Sequence, residues 1–167
     1  MKKNITIIDY GSGNILSAMQ SFSRIIKSNE LDADICISGN PKSIKNTSHL
    51  VLPGQGAFET CINGLKNIPG MLEELSNYAL EQKKPFFGIC VGMQLLANNS
   101  EENGNHEGLG WIGGTIRKLP SKNLKMPHMG WNSIKVLNNN FKITPKEADY
   151  YFVHSYYFDC KNQDNVL

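Results

Sequence analysis

Cys90 stands between two glycines in the stretch KKPFFGICVGMQLLANN (residues 83–99), as Gly88-x-Cys90-x-Gly92. A short apolar run precedes it and a helical pattern follows, so the thiol falls at the corner where a strand turns into a helix. That is the cysteine form of the nucleophile elbow, in which a strained backbone pushes the reactive side chain out of the turn. Residues two before and two after the nucleophile crowd one another, and glycine suits both positions. The following helix offers free N–H groups and the positive end of its dipole, which favour thiolate. The Val91 N–H is left to face an oxyanion. The chemistry implied is attack of a thiolate on an acyl carbon.

Such a reaction needs a second oxyanion donor and a proton shuttle. PGQGAF (53–58) can supply the donor, because its glycines let backbone N–H groups approach a ligand. Taken alone it is a plain Pro-Gly turn, and only its place beside the elbow gives it weight. The shuttle is harder to find. His49 begins a predicted strand, His106 lies in a polar loop, His128 follows Pro127 in a loop, and His154 sits on an aromatic strand. A hydrogen-bonded structural histidine is the commoner reading of the last. The other cysteines, Cys36, Cys61 and Cys160, read as small buried hydrophobes; the four thiols show neither C-x-x-C nor any other metal spacing.

The elements that position these groups can be read from periodicity. NITII (4–8) is a β-branched run ending at the turn YGSGN, after which Ile15, Met19, Phe22 and Ile26 recur at helical spacing. ADICI (33–37) and HLVL (49–52) read as further strands, the latter stopped by PGQG. Leu72, Leu75, Tyr78 and Ala79 mark a second helix, followed by the strand PFFGI (85–89) and the helix after Cys90. Strands alternating with helices predict an α/β, doubly wound, mostly parallel sheet. Beyond residue 110, TIRKL, NSIKVL and DYYFVHSYYF predict a β-rich second half on the same domain. In open α/β sheets ligands bind beyond the carboxyl ends of the strands. Three turns fall there: GSGN, PGQG and GICVG.

Two glycine patterns compete for a nucleotide. GLGWIG (108–113) matches G-x-G-x-x-G, but it follows a polar loop and leads into a strand, the wrong context. GSGN is in the right context but has Leu16 where the third glycine belongs. Asp32 and Asp34 lie at a suitable spacing for a ribose contact, which keeps a nucleotide-binding module as an alternative.

Composition excludes other classes. The 167 residues are 40% hydrophobic and 19% charged with a formal net charge of +2, an ordinary globular balance suited neither to a nucleic-acid surface nor to an anionic membrane. No apolar run approaches a membrane span, and the N-terminus lacks a signal-peptide core, so a cytoplasmic location with free thiols is expected.

IDYGSGN, LPGQGAF, GICVGMQLLA, GLGWI, PHMGWN and YFVHSY occur here in the order of one family. The chain resembles the class I glutamine amidotransferases, and within them the amidotransferase subunits of imidazole glycerol phosphate synthase, of histidine biosynthesis. The elbow is common to the whole class; PHMGWN with FVHSY is the more specific signal. The resemblance implies a flavodoxin-like fold, one amidotransferase domain over 1–167, no cofactor and no metal. It implies that Cys90 cleaves the side-chain amide of glutamine through a thioester, with Val91 and either Gln55 or Gly56 forming the oxyanion hole. Gly54, Gln94, His154, Ser155 and Tyr156 match positions that hold glutamine. Asn14, Pro127, His128, Met129, Gly130, Trp131 and Tyr151 match positions facing a (βα)₈-barrel cyclase subunit, which receives the ammonia. No nucleic acid or membrane partner is implied.

Two departures stand out. Gln55 occupies a loop position where valine is more familiar. The family's late His-Pro-Glu motif, source of its general base and orienting glutamate, is absent from these residues. The intact upstream motifs favour a chain truncated before its closing strands and helix. The rival expectations are another class I amidotransferase subunit and an inactive partner-binding module.

Overall fold

The computed structural model describes residues 2–121, 125–137 and 148–167. The chain divides into two compact units, Met1–Leu96 and Ala97–Leu167.

The first unit is built on four parallel strands: β1 (Lys3–Ile8), β2 (Ala33–Ser38), β3 (His49–Gly54) and β4 (Phe86–Cys90). Their order is β2-β1-β3-β4, the flavodoxin-like arrangement, whose switch point lies between β1 and β3. From β1 the chain crosses one way to β2, and from β3 the other way to β4. Right-handed crossovers therefore put the connecting helices on opposite faces. Helix α1 (Ile15–Ser28) joins β1 to β2, and its first turn is capped by the Asn14 side chain, which accepts from Ser17 N–H at 3.2 Å. Helices α2 (Phe58–Lys66) and α3 (Met71–Ser76) join β3 to β4. The core sits under α2 and α3, where Ile8, Leu50, Leu52, Phe58, Ile62, Leu65, Met71, Leu75 and Tyr78 are all buried. The expected apolar stripe of α1 is only half covered: no residue of α1 is buried, and Phe22 meets Phe87 of β4 edge-on at 6.5 Å.

The helix expected after Cys90 is a single turn, α4 (Val91–Gln94). Cys36 also departs from expectation. It lies on the outermost strand β2, alternates outward with Asp34, and is exposed rather than buried.

The second unit contains a sheet of β5 (Asn99–Ser100), β6 (His106–Glu107), β7 (Gly114–Lys118) and β10 (Tyr156–Cys160), in the order β10-β7-β5-β6. A separate antiparallel ribbon pairs β8 (His128–Ser133) with β9 (Asp149–His154). Here the strand expected over NSIKVL begins earlier, at His128, and Ser133 is its last residue. His128 is therefore a strand residue and not a loop residue, because its segment finds a full six-residue partner in β9. The aromatic run DYYFVHSYYF is two strands that break at Ser155.

Candidate active site

The end of β3 lies beside the end of β4, with Gly54 opposite Cys90 and Pro53 opposite Ile89. Cys90 is exposed, the last residue of β4 and the cap of α4, with φ 55° and ψ −120°. A non-glycine residue in that region costs ~1–3 kcal/mol and persists only where its surroundings hold it. The glycines show what holds it. A Cβ on Gly88 would meet the Met93 Cα at 2.6 Å and the Gly92 carbonyl oxygen at 2.9 Å. On Gly92 it would overlap the Leu52 carbonyl oxygen, so this glycine serves the contact with β3 and not only the turn itself. On Gly54 it would lie 2.9 Å from the Val91 carbonyl carbon. The elbow is thus wedged backbone to backbone against the end of β3. With only one turn behind it, α4 offers Cys90 its first N–H groups rather than a long dipole.

The turn after β1 completes the rim, as expected, through residues that sequence reasoning passed over. Tyr10, buried, donates its hydroxyl to the Pro53 carbonyl at 2.6 Å. Burial pushes its phenol far up, and nearby Cys61 and Cys90 push the same way. Gly64 of α2 leaves room for the Tyr10 ring, since a Cβ there would touch it at 2.9 Å. Ser12 donates its hydroxyl to the Gln55 carbonyl at 2.8 Å and accepts from the Gln55 N–H at 3.4 Å. The buried Cys61 thiol donates to the same carbonyl at 3.4 Å. With the Gln55 carbonyl turned to Ser12 and Cys61, the next N–H, that of Gly56, points the opposite way in a trans peptide. The signal for Tyr10 and Ser12 was their place in IDYGSGN, the turn nearest the sheet's switch point.

Two other expectations resolve on this unit. Asp32 and Asp34 lie at the amino end of β2, opposite the rim, and Asp34 is paired with Lys2 at 2.8 Å. A ribose at the rim is out of their reach, so the nucleotide reading falls. His49 begins β3, five residues from Gly54 and roughly 16 Å from the rim at strand spacing. Gln94 is half-buried at the end of α4, and Asn14 is spent on the cap of α1.

The remaining candidates lie on the second unit. Alternation along the ribbon puts Met129, Trp131, Tyr151 and Val153 on one face, all exposed; Met129 is 60% and Trp131 74% accessible. Trp131 meets Tyr151 edge-on at 5.8 Å. His128, Gly130, Phe152 and His154 share the other face. His154 ends β9, and its Nδ1 lies 3.0 Å from the Tyr156 carbonyl oxygen. The Ser155 carbonyl accepts from the Leu119 N–H at 2.9 Å. Pro127, exposed, precedes the ribbon. Among the described residues, no group of three or more His, Cys, Asp or Glu is placed to hold a metal ion.

Comparison with known proteins gives the family. The family model "Glutamine amidotransferase class-I" matches residues 6–166. The chain is 42% identical over 171 residues to imidazole glycerol phosphate synthase subunit HisH of Bradyrhizobium diazoefficiens, covering 98% of this chain and 79% of that protein. It is 43% identical over 159 residues to the protein of the same name in Rhodospirillum rubrum, covering 92% and 74%. A solved structure described as a glutamine amidotransferase superposes with a TM-score of 0.67 at 14% identity, over 92% of this chain and 73% of that one, a likeness of fold. With residues 6–166 matched by that family model and relatives above 40% identical over nearly its whole length, this chain belongs to the class I glutamine amidotransferases.

Proposed function

We propose that this chain is the glutamine-hydrolysing subunit of an imidazole glycerol phosphate synthase, working in histidine biosynthesis with a (βα)₈-barrel cyclase subunit. The observation that carries the reading is the exposed Cys90 thiol at φ 55°, set beside Gly54 where a parallel sheet meets a helix. The name borne by relatives about 42% identical over nearly the whole chain supplies the reaction.

In this reading Cys90 Sγ attacks the side-chain carbonyl carbon of glutamine. A C–S bond forms, the C–N bond breaks, and the nitrogen leaves as ammonia after taking up a proton. Water then attacks the thioester, releasing glutamate and restoring the thiol. Charge developing on the carbonyl oxygen is met by the Val91 N–H and by a second N–H from the loop. That donor is Gly56, which points away from Ser12, or Gln55, held there only by a long bond. On the resemblance, Gly54, Gln94, His154, Ser155 and Tyr156 hold the α-amino and α-carboxylate groups of glutamine. His49 is too remote to shuttle the proton, and both ring nitrogens of His154 lie against other groups.

Asn14, Pro127, His128, Met129, Gly130, Trp131 and Tyr151 form the surface for the cyclase. Ammonia passed directly across that surface escapes protonation in bulk water. The exposed Met129, Trp131 and Tyr151 fit an interface, where Met and aromatic residues are enriched. No helix among the described residues is long and apolar enough to cross a membrane.

A chloroketone analogue of glutamine tests the chemistry. The expected result is one covalent adduct, on Cys90, slowed by free glutamine. Absence of labelling at Cys90, or equal labelling of the exposed Cys36, overturns the glutaminase reading and leaves a partner-binding module.

A further inference from the structure

Beyond Ile8 the two central strands of the first unit stop meeting through their main chains and meet through side chains instead. β1 pairs with β3 from Ile5 opposite His49 to Ile7 opposite Val51. Past that point the Asp9 N–H donates to the Ser38 carbonyl of β2 at 3.0 Å, and the Gly11 N–H donates to the Asp9 carboxylate at 3.1 Å. Neither is left for β3. The carbonyls of Pro53 and Gln55 are met by the hydroxyls of Tyr10 and Ser12, at 2.6 and 2.8 Å. Donors and acceptors are each two residues apart, the interval at which one edge of an extended strand repeats. A carbonyl can only accept, so each hydroxyl spends its single proton there, and the Ser12 oxygen keeps its lone pairs for the Gln55 N–H at 3.4 Å. Cys61 of α2 donates to the Gln55 carbonyl as well, at 3.4 Å.

Gly54 lies between the two anchored carbonyls, opposite Cys90. A Cβ on it would overlap the Gly92 nitrogen and would also stand 3.0 Å from the Tyr10 Oη. One residue of backbone thus separates the Tyr10 hydroxyl from the elbow. We infer that Tyr10 and Ser12 are positioning residues for amide cleavage, their hydroxyls holding the Pro53 and Gln55 carbonyls toward β1 so that the loop keeps a fixed face against Cys90. This rests on the function proposed above and adds two residues that act through the loop. Stabilising an oxyanion depends on donors that are in place before charge develops. Two glycines in PGQG leave the loop little stiffness of its own, and the two hydroxyls supply it.

Labelling of Cys90 by the glutamine chloroketone over a range of concentrations separates binding (KI) from the rate at saturation (kinact). Iodoacetamide, whose displacement develops no oxyanion, reports the thiol alone. In Ser12→Ala and in Tyr10→Phe, kinact for the chloroketone should fall roughly three- to tenfold, the scale of one lost hydrogen bond. The iodoacetamide rate should stay near wild type. Ser12→Thr keeps the hydroxyl and should recover most of the wild-type kinact. Ser12 is half-buried, so its variants test the loop even if Tyr10→Phe unfolds. An unchanged kinact in either folded variant, a Ser12→Thr chain as slow as Ser12→Ala, or an equal fall with iodoacetamide each overturns the inference while leaving the glutaminase reading intact. A wild-type chain whose Cys90 does not label overturns that reading, and the inference with it.

Discussion

Gly92 lies so close to Leu52 that a methyl group on it would overlap the Leu52 carbonyl oxygen. The contact is backbone against backbone, so no side-chain rotation relieves it. Gly92→Ala must therefore push α4 away from β3, at a cost of ~1–3 kcal/mol by the usual scale of overpacking. Urea unfolding should report the loss, and Cys90 should label more slowly even where the variant is fully folded. Wild-type stability and labelling in Gly92→Ala would show that the elbow is not wedged.

Cys90 itself separates strain from chemistry. Cys90→Ser keeps the strained backbone and weakens the nucleophile, so glutamine hydrolysis in the assembled enzyme should fall by ~10³-fold or more while partner binding persists. Cys90→Gly removes the strain together with the sulfur. It should stabilise the chain by about 1 kcal/mol, the relief at positive φ being partly offset by the entropy of an unfolded glycine. A Cys90→Gly variant less stable than wild type would mean the backbone at 90 is unstrained.

Tyr10 and Tyr78 make alkaline pH informative. Burial raises Tyr78 to about 12 and Tyr10 further still. A phenol with a raised folded-state pKa contributes stability that is fully present below its unfolded value, about 10. That contribution is lost as pH rises through the folded value. Stability should thus hold up to about pH 10 and decline above it. Tyrosinate absorbance should show two of the six tyrosines ionising only with unfolding. Tyr10→Phe also strands the Pro53 carbonyl, at ~1–3 kcal/mol, and should slow Cys90 labelling. Six tyrosines ionising together in the folded chain would contradict the burial of both.

Trp131 is accessible and meets the Tyr151 ring edge-on. Trp131→Ala should leave the melting temperature and Cys90 labelling of the isolated chain near wild type. Affinity for a cyclase subunit should fall by ~30-fold or more, the scale of an interface hot spot of about 2 kcal/mol. Undiminished affinity in a titration by calorimetry would place the interface elsewhere.

The first unit was legible because its signals are local. The β-branched run at 4–8, the turn at 11–14 and the glycines at 88 and 92 each report their own backbone, and parallel α/β order follows from alternation. Alternation cannot reveal how close two backbones come, so Gly92 read as a turn residue although its tightest contact is on β3. Nor did periodicity separate one helical turn from a full helix after Cys90, since the apolar residues 95–97 are buried whatever their winding. Cys36 misled because a thiol on an outer strand follows the pleat rather than its own preference. The contact between His128 and His154 was hidden for a different reason: they are 26 positions apart, and the β8–β9 register brings them opposite. Tyr10 and Ser12 stood in a quoted motif, but a hydroxyl's partner on another strand is not written in its neighbours.

The ribbon's pleat sorts its positions by parity. Odd-numbered residues 129, 131, 151 and 153 are exposed on one face, and even-numbered 128, 130, 152 and 154 share the other. Substitutions at the odd positions therefore alter what the surface presents without disturbing the ring stacking and histidine contact on the even side, so the two faces can change independently within the same twelve residues.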